Sequence, residues 1–406
     1  MRPAAYTVPP DHTTAAGTER LLFLDGLRAC AALWVVLGHA HLFALGWSRS
    51  GTLWGRPLDL LLYMHLGVNL FLVLSGFCLA LPVVRNGDRL HTSNAAFFQA
   101  RAWRILLPYG ACLGLILLIN CFVPLGAWGR NPIGLTPEIK WQVIVSNALL
   151  LQDVFPQFNS ISGLFWSISI EWHLYFLFPA AVWLLRRRGP LALMGAGVAL
   201  ALACTFISFT HPKLSDALPI YIPQPPYFVA LFVMGIVAAA FAFSPRYAAC
   251  RAVVTRRAFW IGALTLIPLC ALLWKYRIVG GSNVQLFIDQ LHIIDPLAGA
   301  VSAALLVVLS ACAPSHRARR LLEGRYLVAI GGFSYSLYLT HVPLMGAMHH
   351  AFEVLGWVPD SDAARLREFF LLASVGLALC LALAWAFARV FERRYRLRTA
   401  ARNTAS

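Results

Sequence analysis

The chain has 406 residues, of which 59% are hydrophobic and 12% are charged, and its formal net charge is +16. A soluble protein carries about twice that share of charged residues, so the composition excludes an ordinary soluble enzyme and indicates an integral membrane protein. The hydrophobic runs are long and continuous, which favours membrane helices over the short alternating segments of barrel strands.

The positive charge and the cysteines exclude further classes of protein. The arginines cluster between the hydrophobic runs, where they set membrane topology, so we do not expect a nucleic-acid partner. The nine cysteines are dispersed and no CxxC occurs, so neither a disulfide framework nor a metal site is predicted. The chain lacks a Gly-rich phosphate loop, a GxSxG and an HExxH segment, which argues against nucleotide hydrolysis, serine-hydrolase and zincin chemistry.

The hydrophobic runs predict an all-α polytopic membrane protein, a bundle of about ten transmembrane helices. We place the spans near residues 21–45, 59–83, 104–125, 166–185, 190–209, 226–243, 258–275, 293–312, 328–348 and 368–391. With the N-terminus in the cytoplasm, every inner loop is richer in basic residues than its outer neighbours. Both termini are therefore predicted to be cytoplasmic.

We expect one transmembrane domain between two short cytoplasmic tails. The tails are residues 1–20 and 395–406, and the domain is 21–394. Residues 1–20 are polar, and the first hydrophobic run is too long for a signal core. We therefore expect a retained first span and no cleavable signal.

The first span holds two ionisable residues inside a hydrophobic run. Arg28 and His39 fall within roughly 20° of one helix face and about 16 Å apart along its axis. A charged side chain near the centre of a span costs about 2.5–3.5 kcal/mol, so such residues commonly mark a site. His39 is predicted to be a general base, because imidazole titrates near neutrality; a helix-packing histidine is the alternative. His41 faces another side, and we expect it to be solvated near the outer interface.

The second and third spans add further polar groups. In the segment GVNLFLVLSGF these are Asn69 and Ser75, which alone are consistent with ordinary helix packing. Arg101 and Arg104 share one face at the cytoplasmic start of the third span. Guanidinium groups are suited to bidentate contact with phosphate, and contact with lipid headgroups is the alternative.

An acid in the fourth span and a polar stripe in the ninth complete the candidates. Glu171 lies in an apolar setting within WSISIEW. It either orients an imidazole or an acceptor hydroxyl, or is a hydrated carboxylate at the interface. Ser334, Tyr338 and His341 follow an i, i+4, i+7 pattern. A polar stripe on a membrane helix faces the bundle or a cavity.

Taken in order, five segments resemble the membrane acyltransferase type 3 family, also called the acyltransferase-3 family. They are LDGLRACAALWVVLGH, GVNLFLVLSGF, RAWR, WSISIE and SYSLYLTHVP. The resemblance extends from about Leu21 to Arg394 and includes the family's spacing between Arg28 and His39. We expect the single-domain form, without the additional hydrolase-like domain that some members carry.

The chain departs from the family pattern at a few positions. Asn69 stands where the family often has Asp, so an amide replaces the carboxyl group at that position. Trp172 and His173 replace a common Glu-Gln pair, and Thr340 replaces a Trp.

The resemblance implies an O-acyltransferase. Such an enzyme transfers an acyl group, commonly acetyl, from cytoplasmic acyl-CoA to a hydroxyl of a carbohydrate such as O-antigen, exopolysaccharide or another cell-surface glycan, including lipid-linked glycans. No bound cofactor is implied, because acyl-CoA is a substrate. The expected partners are membrane lipid, acyl-CoA and the acceptor, and the expected location is a plasma membrane such as a bacterial inner membrane.

The resemblance also implies roles for the candidate residues. His39 would act as the base on the acceptor hydroxyl or as a transient acyl carrier, and Glu171 would orient His39 or bind the sugar. Acyl-CoA would be held by Arg28, Arg101 and Arg104. The residues expected to line the acceptor site or the cavity are Asp25, Asn69, Ser75, Ser334, Tyr338 and His341.

Two other classes of protein remain open on the residues alone. A transporter or flippase for a polar or lipid-linked solute would line its pathway with the same charges. It would move its solute without consuming acyl-CoA. A structural or sensory membrane subunit is the third class, and it would not require polar groups on several spans at once.

Overall fold

The computed structural model describes residues 20–46, 58–90, 92–122, 140–154, 161–210, 227–276, 290–357 and 361–392. These residues form helices and short connections and contain no strand. The all-α class is therefore confirmed for the described part of the chain. The predicted tail at 395–406, and the tail at 1–20 except for its last residue, lie outside the described residues.

The α-helices of the described residues follow one another along the chain. They are α1 (Leu22–Leu45), α2 (His65–Arg85), α3 (Asn94–Phe122), α4 (Trp141–Ala148), α5 (Phe165–Arg188), α6 (Pro190–Thr210), α7 (Phe228–Phe243), α8 (Arg251–Lys275), α9 (Leu291–Ala311), α10 (Arg317–Leu322), α11 (Arg325–Gly331), α12 (Ser334–Val354), α13 (Asp362–Leu371) and α14 (Leu377–Phe391). Short 3₁₀ helices precede α2 (Asp59–Met64) and α8 (Pro245–Cys250), and a π-helical turn (Leu372–Gly376) joins α13 to α14.

Several of these helices can cross a membrane. Within the described residues, 7 helical segments are long and apolar enough, and the pair α11 and α12, bent by 74°, makes an eighth if it is one span. Helices α6 and α7 are apolar but shorter. Every predicted span thus contains a helix, and the protein is a multi-pass membrane protein. The count of ten spans and the cytoplasmic termini stay predictions.

Helix α1 lies inside the bundle. It packs against α2, α11, α12 and the 3₁₀ helix before α2. Most of its residues are buried, and these include Asp25, His39 and His41. A helix enclosed by protein can carry ionisable groups that a lipid-facing helix does not tolerate. This enclosure explains how the first hydrophobic run accommodates its charged residues.

Helices α2 and α7 pack with their backbones in close contact. A methyl group added at Gly76 would lie 2.0 Å from the carbonyl oxygen of Phe232, and one added at Gly235 would lie 2.0 Å from the carbonyl oxygen of Val73. Small residues allow membrane helices to approach in this way. The contact holds α2, which carries Asn69 and Ser75, at the centre of the bundle.

We expect Gly235→Ala to destabilise the protein, because the methyl group would overlap backbone atoms that cannot move aside without shifting α2. Overpacking of this kind costs about 1–3 kcal/mol. The matched control is Gly114→Ala in α3, where an added methyl group meets nothing within 4 Å. Thermal unfolding of both purified variants in detergent measures the difference, and equal melting temperatures would show that the α2–α7 contact tolerates the change.

Candidate active site

A cavity opens between α1, α2, α3, α5 and α12. The polar residues of its wall are Arg28, Ser75, Cys78, Arg101, Arg104, Ser167, Glu171, Tyr175, Ser334, Tyr335 and Tyr338. All three predicted site arginines, Arg28, Arg101 and Arg104, therefore line one cavity together with the predicted acid, Glu171.

A second cavity, the inner cavity, adjoins the first at the end of the bundle where α1 begins, which is the inner end. It is lined by Arg20, Asp25, Arg28, Arg104, Gly331, Gly332, Ser334, Tyr335 and Glu392. Four residues line both spaces, namely Arg28, Arg104, Ser334 and Tyr335. The two cavities thus lead from the predicted cytoplasmic end of the bundle into its interior.

Asp25 positions the arginines at this inner end. Its Oδ1 accepts a hydrogen bond of 2.9 Å from Arg28 Nη1, and its Oδ2 accepts one of 2.8 Å from Arg20 Nη2. The other Nη of Arg28 lies 3.1 Å from the sulfur of Cys78. Asp25 therefore belongs to the inner cavity, where it holds the guanidinium of Arg28 toward α2.

Arg101 and Arg104 lie one turn apart on α3 and both face the first cavity. The shared face predicted from their spacing is therefore present. Arg104 also lines the inner cavity, so its position spans the junction of the two spaces. Several guanidinium groups around one opening suit an anionic ligand with more than one phosphate.

Glu171 is held by two hydroxyl groups. Ser75 Oγ donates to Glu171 Oε1 over 2.7 Å, and the hydroxyl of Tyr175 donates to the same oxygen over 2.6 Å. The carboxylate thus forms part of the cavity wall, and its hydrogen-bond partners are these hydroxyls. The direct contact with His39 that an orienting role implies is not among its hydrogen bonds in the described residues.

His39 lies deeper in the bundle beside a second histidine. It is 6% exposed, while His341 of α12 is 0% exposed. His39 Nδ1 is 2.8 Å from the carbonyl oxygen of Val35 and 3.3 Å from His341 Nε2. His341 Nδ1 is 2.9 Å from the carbonyl oxygen of Leu337.

These contacts assign the tautomers of the neutral pair. A carbonyl oxygen only accepts hydrogen bonds, so the Nδ1 atoms of His39 and His341 each carry a proton. His341 Nε2 is then unprotonated and is the second, more distant acceptor of the His39 Nδ1 proton, which the carbonyl of Val35 also accepts. Nε2 of His39 is left with a free lone pair, which is the form of imidazole that acts as a base or nucleophile.

Tyr338 connects this histidine pair to the cavity. Its ring centroid lies 5.9 Å from that of His341, and its hydroxyl is 2.7 Å from Ser167 Oγ. Tyr338 and Ser167 line the cavity, as does Ser334. The predicted stripe is therefore present: Ser334 and Tyr338 lie in the cavity wall, and His341 contacts His39, which is not among the residues that line the cavity.

The prediction of a solvated His41 is wrong. Its side chain is 0% exposed, and Nε2 lies 3.7 Å from Asp59 Oδ1. The ring also meets that of Phe369 edge to face at 6.0 Å. The 3₁₀ helix before α2 and helix α13 cover the C-terminal end of α1, and the sequence of α1 alone does not show this cover.

Asn69 occupies a different place from the cavity residues. Its Nδ2 donates to Asp295 Oδ1 over 2.8 Å, and His65 Nε2 lies 2.7 Å from Asp295 Oδ2. Neither His65 nor Asp295 was expected from the sequence to belong to a site. The available signal was an acid inside the hydrophobic run of α9, because ionisable residues within spans generally face a partner or a cavity.

No metal-binding cluster is found in the part of the chain that the structure describes. Groups of three or more His, Cys, Asp or Glu residues with suitable geometry do not occur there.

Comparison with known proteins gives consistent matches. A family model described as an acyltransferase domain matches residues 21–389. The O-acetyltransferase OatA of Staphylococcus aureus (strain NCTC 8325 / PS 47) is 24% identical over 347 residues, which cover 83% of this chain and 52% of that protein. The acyltransferase MdmB of Streptomyces mycarofaciens is 28% identical over 338 residues, covering 79% of this chain and 78% of that protein. The chain thus spans about half the length of OatA. No solved structure matches it.

Proposed function

Because the chain belongs to the membrane acyltransferase type 3 family, we propose that it is an O-acyltransferase of a plasma membrane such as a bacterial inner membrane. It moves an acyl group, acetyl in the first instance, from cytoplasmic acyl-CoA to a hydroxyl of a carbohydrate acceptor such as O-antigen, exopolysaccharide or another cell-surface glycan. The acceptor class includes lipid-linked glycans. The names of the matched proteins, an O-acetyltransferase and an acyltransferase, support the reaction class.

The observation that carries this proposal is one cavity with arginines at its inner end and, in its wall, Tyr338, whose ring contacts the histidine pair. Arg28, Arg101 and Arg104 line it, and their charges suit the phosphates of CoA. The apolar part of its wall includes Phe71 and Leu72, which suit the pantetheine arm. The thioester then comes to rest near Tyr338, close to the histidine pair.

The chemistry follows from the tautomers. Nε2 of His39 takes the proton from the acceptor hydroxyl as the oxygen attacks the thioester carbonyl. The C–S bond breaks, and the proton passes to the thiolate of CoA. His341 Nε2 accepts from His39 Nδ1 and thereby stabilises the imidazolium. General base catalysis of this kind contributes about 10²–10⁴-fold.

A second mechanism uses the same nitrogen, Nε2 of His39, as a nucleophile. His39 Nε2 attacks the thioester first, the acyl group stays on the ring as CoA leaves, and the acceptor hydroxyl then takes it. Both mechanisms need the free lone pair on Nε2, so both need the proton on Nδ1.

The reaction is tested with purified protein in lipid vesicles, acetyl-labelled acetyl-CoA and surface glycan freed of O-acetyl groups. We expect the label to appear in the glycan fraction in step with release of free CoA. Movement of glycan across the vesicle membrane without release of CoA would instead establish the transporter or flippase alternative. The mass of the glycan from cells with and without the gene identifies the acetylated position.

A further inference from the structure

A second polar cluster lies at the opposite end of the bundle from the arginines, where α2, α5, α7 and α9 begin. Asp295 is 0% exposed there. Its carboxylate accepts from His65 Nε2 at 2.7 Å and from Asn69 Nδ2 at 2.8 Å. These two donors offset the cost of burying a carboxylate among membrane helices.

The cluster contains a hydrogen-bond acceptor that lacks a partner. Asn69 is 0% exposed, and within the described residues its Oδ1 has no hydrogen-bond partner. Because Asp295 holds Nδ2, Oδ1 points away from the carboxylate. A buried polar atom left unpaired destabilises the protein, so a hydroxyl that donates to Oδ1 would be bound favourably.

Aromatic rings lie beside these polar atoms. The ring of Trp166 is stacked with that of His65 at 5.8 Å and with that of Phe228 at 5.6 Å. Trp166 and His65 are partly exposed. An aromatic face next to hydrogen-bonding groups is suited to a ring that is apolar on one face and carries hydroxyls at its edge.

The cluster adjoins the cavity. Val68 and Ser167 line the cavity wall, and they directly neighbour Asn69 and Trp166 in the chain. Trp166 and Asn69 therefore lie beside the wall of the space where the thioester is expected.

From these contacts we propose that His65, Asn69, Asp295 and Trp166 form the subsite that holds the acceptor. A sugar ring packs against Trp166 and donates a hydroxyl proton to Asn69 Oδ1. The carboxylate of Asp295 fixes the amide and the imidazole of His65 in the orientation that receives the sugar. This inference rests on the proposed function, and it names the place where the acceptor meets the donor cavity.

The subsite is tested by moving the carboxylate from position 295 on α9 to position 69 on α2. Asp295→Asn removes the carboxylate that fixes His65 and Asn69. In the double variant Asn69→Asp with Asp295→Asn the carboxylate returns on α2, one helical turn from His65 and within its reach. The probe is tritium-labelled surface glycan freed of its O-acetyl groups, and its equilibrium binding to the protein in vesicles is measured without acyl-CoA. We expect Asp295→Asn to weaken binding about tenfold and the double variant to restore most of it.

A second pair of variants tests the aromatic face. Trp166→Leu should weaken glycan binding about tenfold, while Trp183→Leu, at a position on α5 that is 62% exposed, should leave it unchanged. Unaltered glycan binding in Asp295→Asn and Trp166→Leu would overturn the subsite, as would a loss that tracks a lower melting temperature without recovery in the double variant. Release of CoA is measured separately, so glycan binding without any acyl transfer would count against the proposed function and not against the subsite.

Discussion

His39→Gln is expected to lower acyl transfer by about 10²–10⁴-fold, the usual contribution of a general base, and to leave the chain folded. Glutamine is close to histidine in size and its amide can still donate to the carbonyl of Val35, which accepts from His39 Nδ1 in the native protein. It has no titratable nitrogen, so neither proton abstraction nor acyl transfer through the ring is possible. The initial rate of label transfer from acetyl-CoA at saturating substrates measures the effect.

The matched control for this variant is His41→Gln. His41 is on the same helix and equally enclosed, at 0% exposed, but it lies beside Asp59 and Phe369 and away from His341. We expect it to retain full transfer activity. Equal loss in both variants would mean that α1 packing and not base chemistry is disturbed, and an active His39→Gln enzyme would remove the assignment of His39.

Arg104→Gln is expected to raise the KM for acetyl-CoA by about 10–100-fold, because a hydrogen bond to a charged group contributes about 1.5–3 kcal/mol. Arg104 lines both the first cavity and the inner one, so in the proposed function a donor that enters from the cytoplasm passes it. The kcat should change little, since in the proposed function the guanidinium contacts the phosphates of CoA and not the reacting carbonyl. Initial rates measured over a range of acetyl-CoA concentrations separate the two parameters.

Arg187→Gln is the control for the loss of positive charge. Arg187 is an exposed residue in the last turn of α5 and lines neither cavity. Its loss should leave the KM unchanged at physiological salt, where exposed charges are largely screened. A similar rise in KM for both variants would indicate a general surface effect, and the binding role of Arg104 would then be wrong.

The sequence predicts much of the fold because a membrane helix is specified locally. A continuous apolar run of sufficient length must be helical in a bilayer, and each predicted run does contain a helix. The family motifs also identified Arg28, Arg101, Arg104 and Glu171 as site residues, and all four line one cavity. The polar stripe of α12 was predictable for the same reason, since its spacing fixes one helix face.

The partners of the buried polar groups are not local. Asp295 meets His65 across 230 residues and Asn69 across 226, and His341 meets His39 across 302. Such pairs depend on which helices neighbour each other, and helical periodicity does not encode that. The chain has Asn69 where the family often has an acid, and the structure shows a carboxylate from another helix beside it.

The burial of His41 was missed for a related reason. Helical position places its ring near one end of α1, but the cover over that end comes from the 3₁₀ helix Asp59–Met64 and from α13. The hydrogen-bond partners of Glu171 could not be predicted from the sequence either. They are hydroxyl groups on α2 and α5, and only the packing of the bundle brings them to the carboxylate.

The central claim is that acyl-CoA occupies the cavity lined by Arg28, Arg101 and Arg104, and a native cysteine reports on it. Cys78 lines this cavity and contacts Arg28, while Cys250 is exposed on the 3₁₀ helix before α8, away from it. In a variant that keeps only these two cysteines, the rates of alkylation by N-ethylmaleimide are compared with and without saturating acetyl-CoA.

Our account predicts that acetyl-CoA slows alkylation of Cys78 by about tenfold or more, with Cys250 unaffected. Acetyl-pantetheine at the same concentration, which lacks the phosphates that the arginines bind, should protect Cys78 far less. An unchanged rate at Cys78 under saturating acetyl-CoA would contradict the account, because the donor would then bind elsewhere.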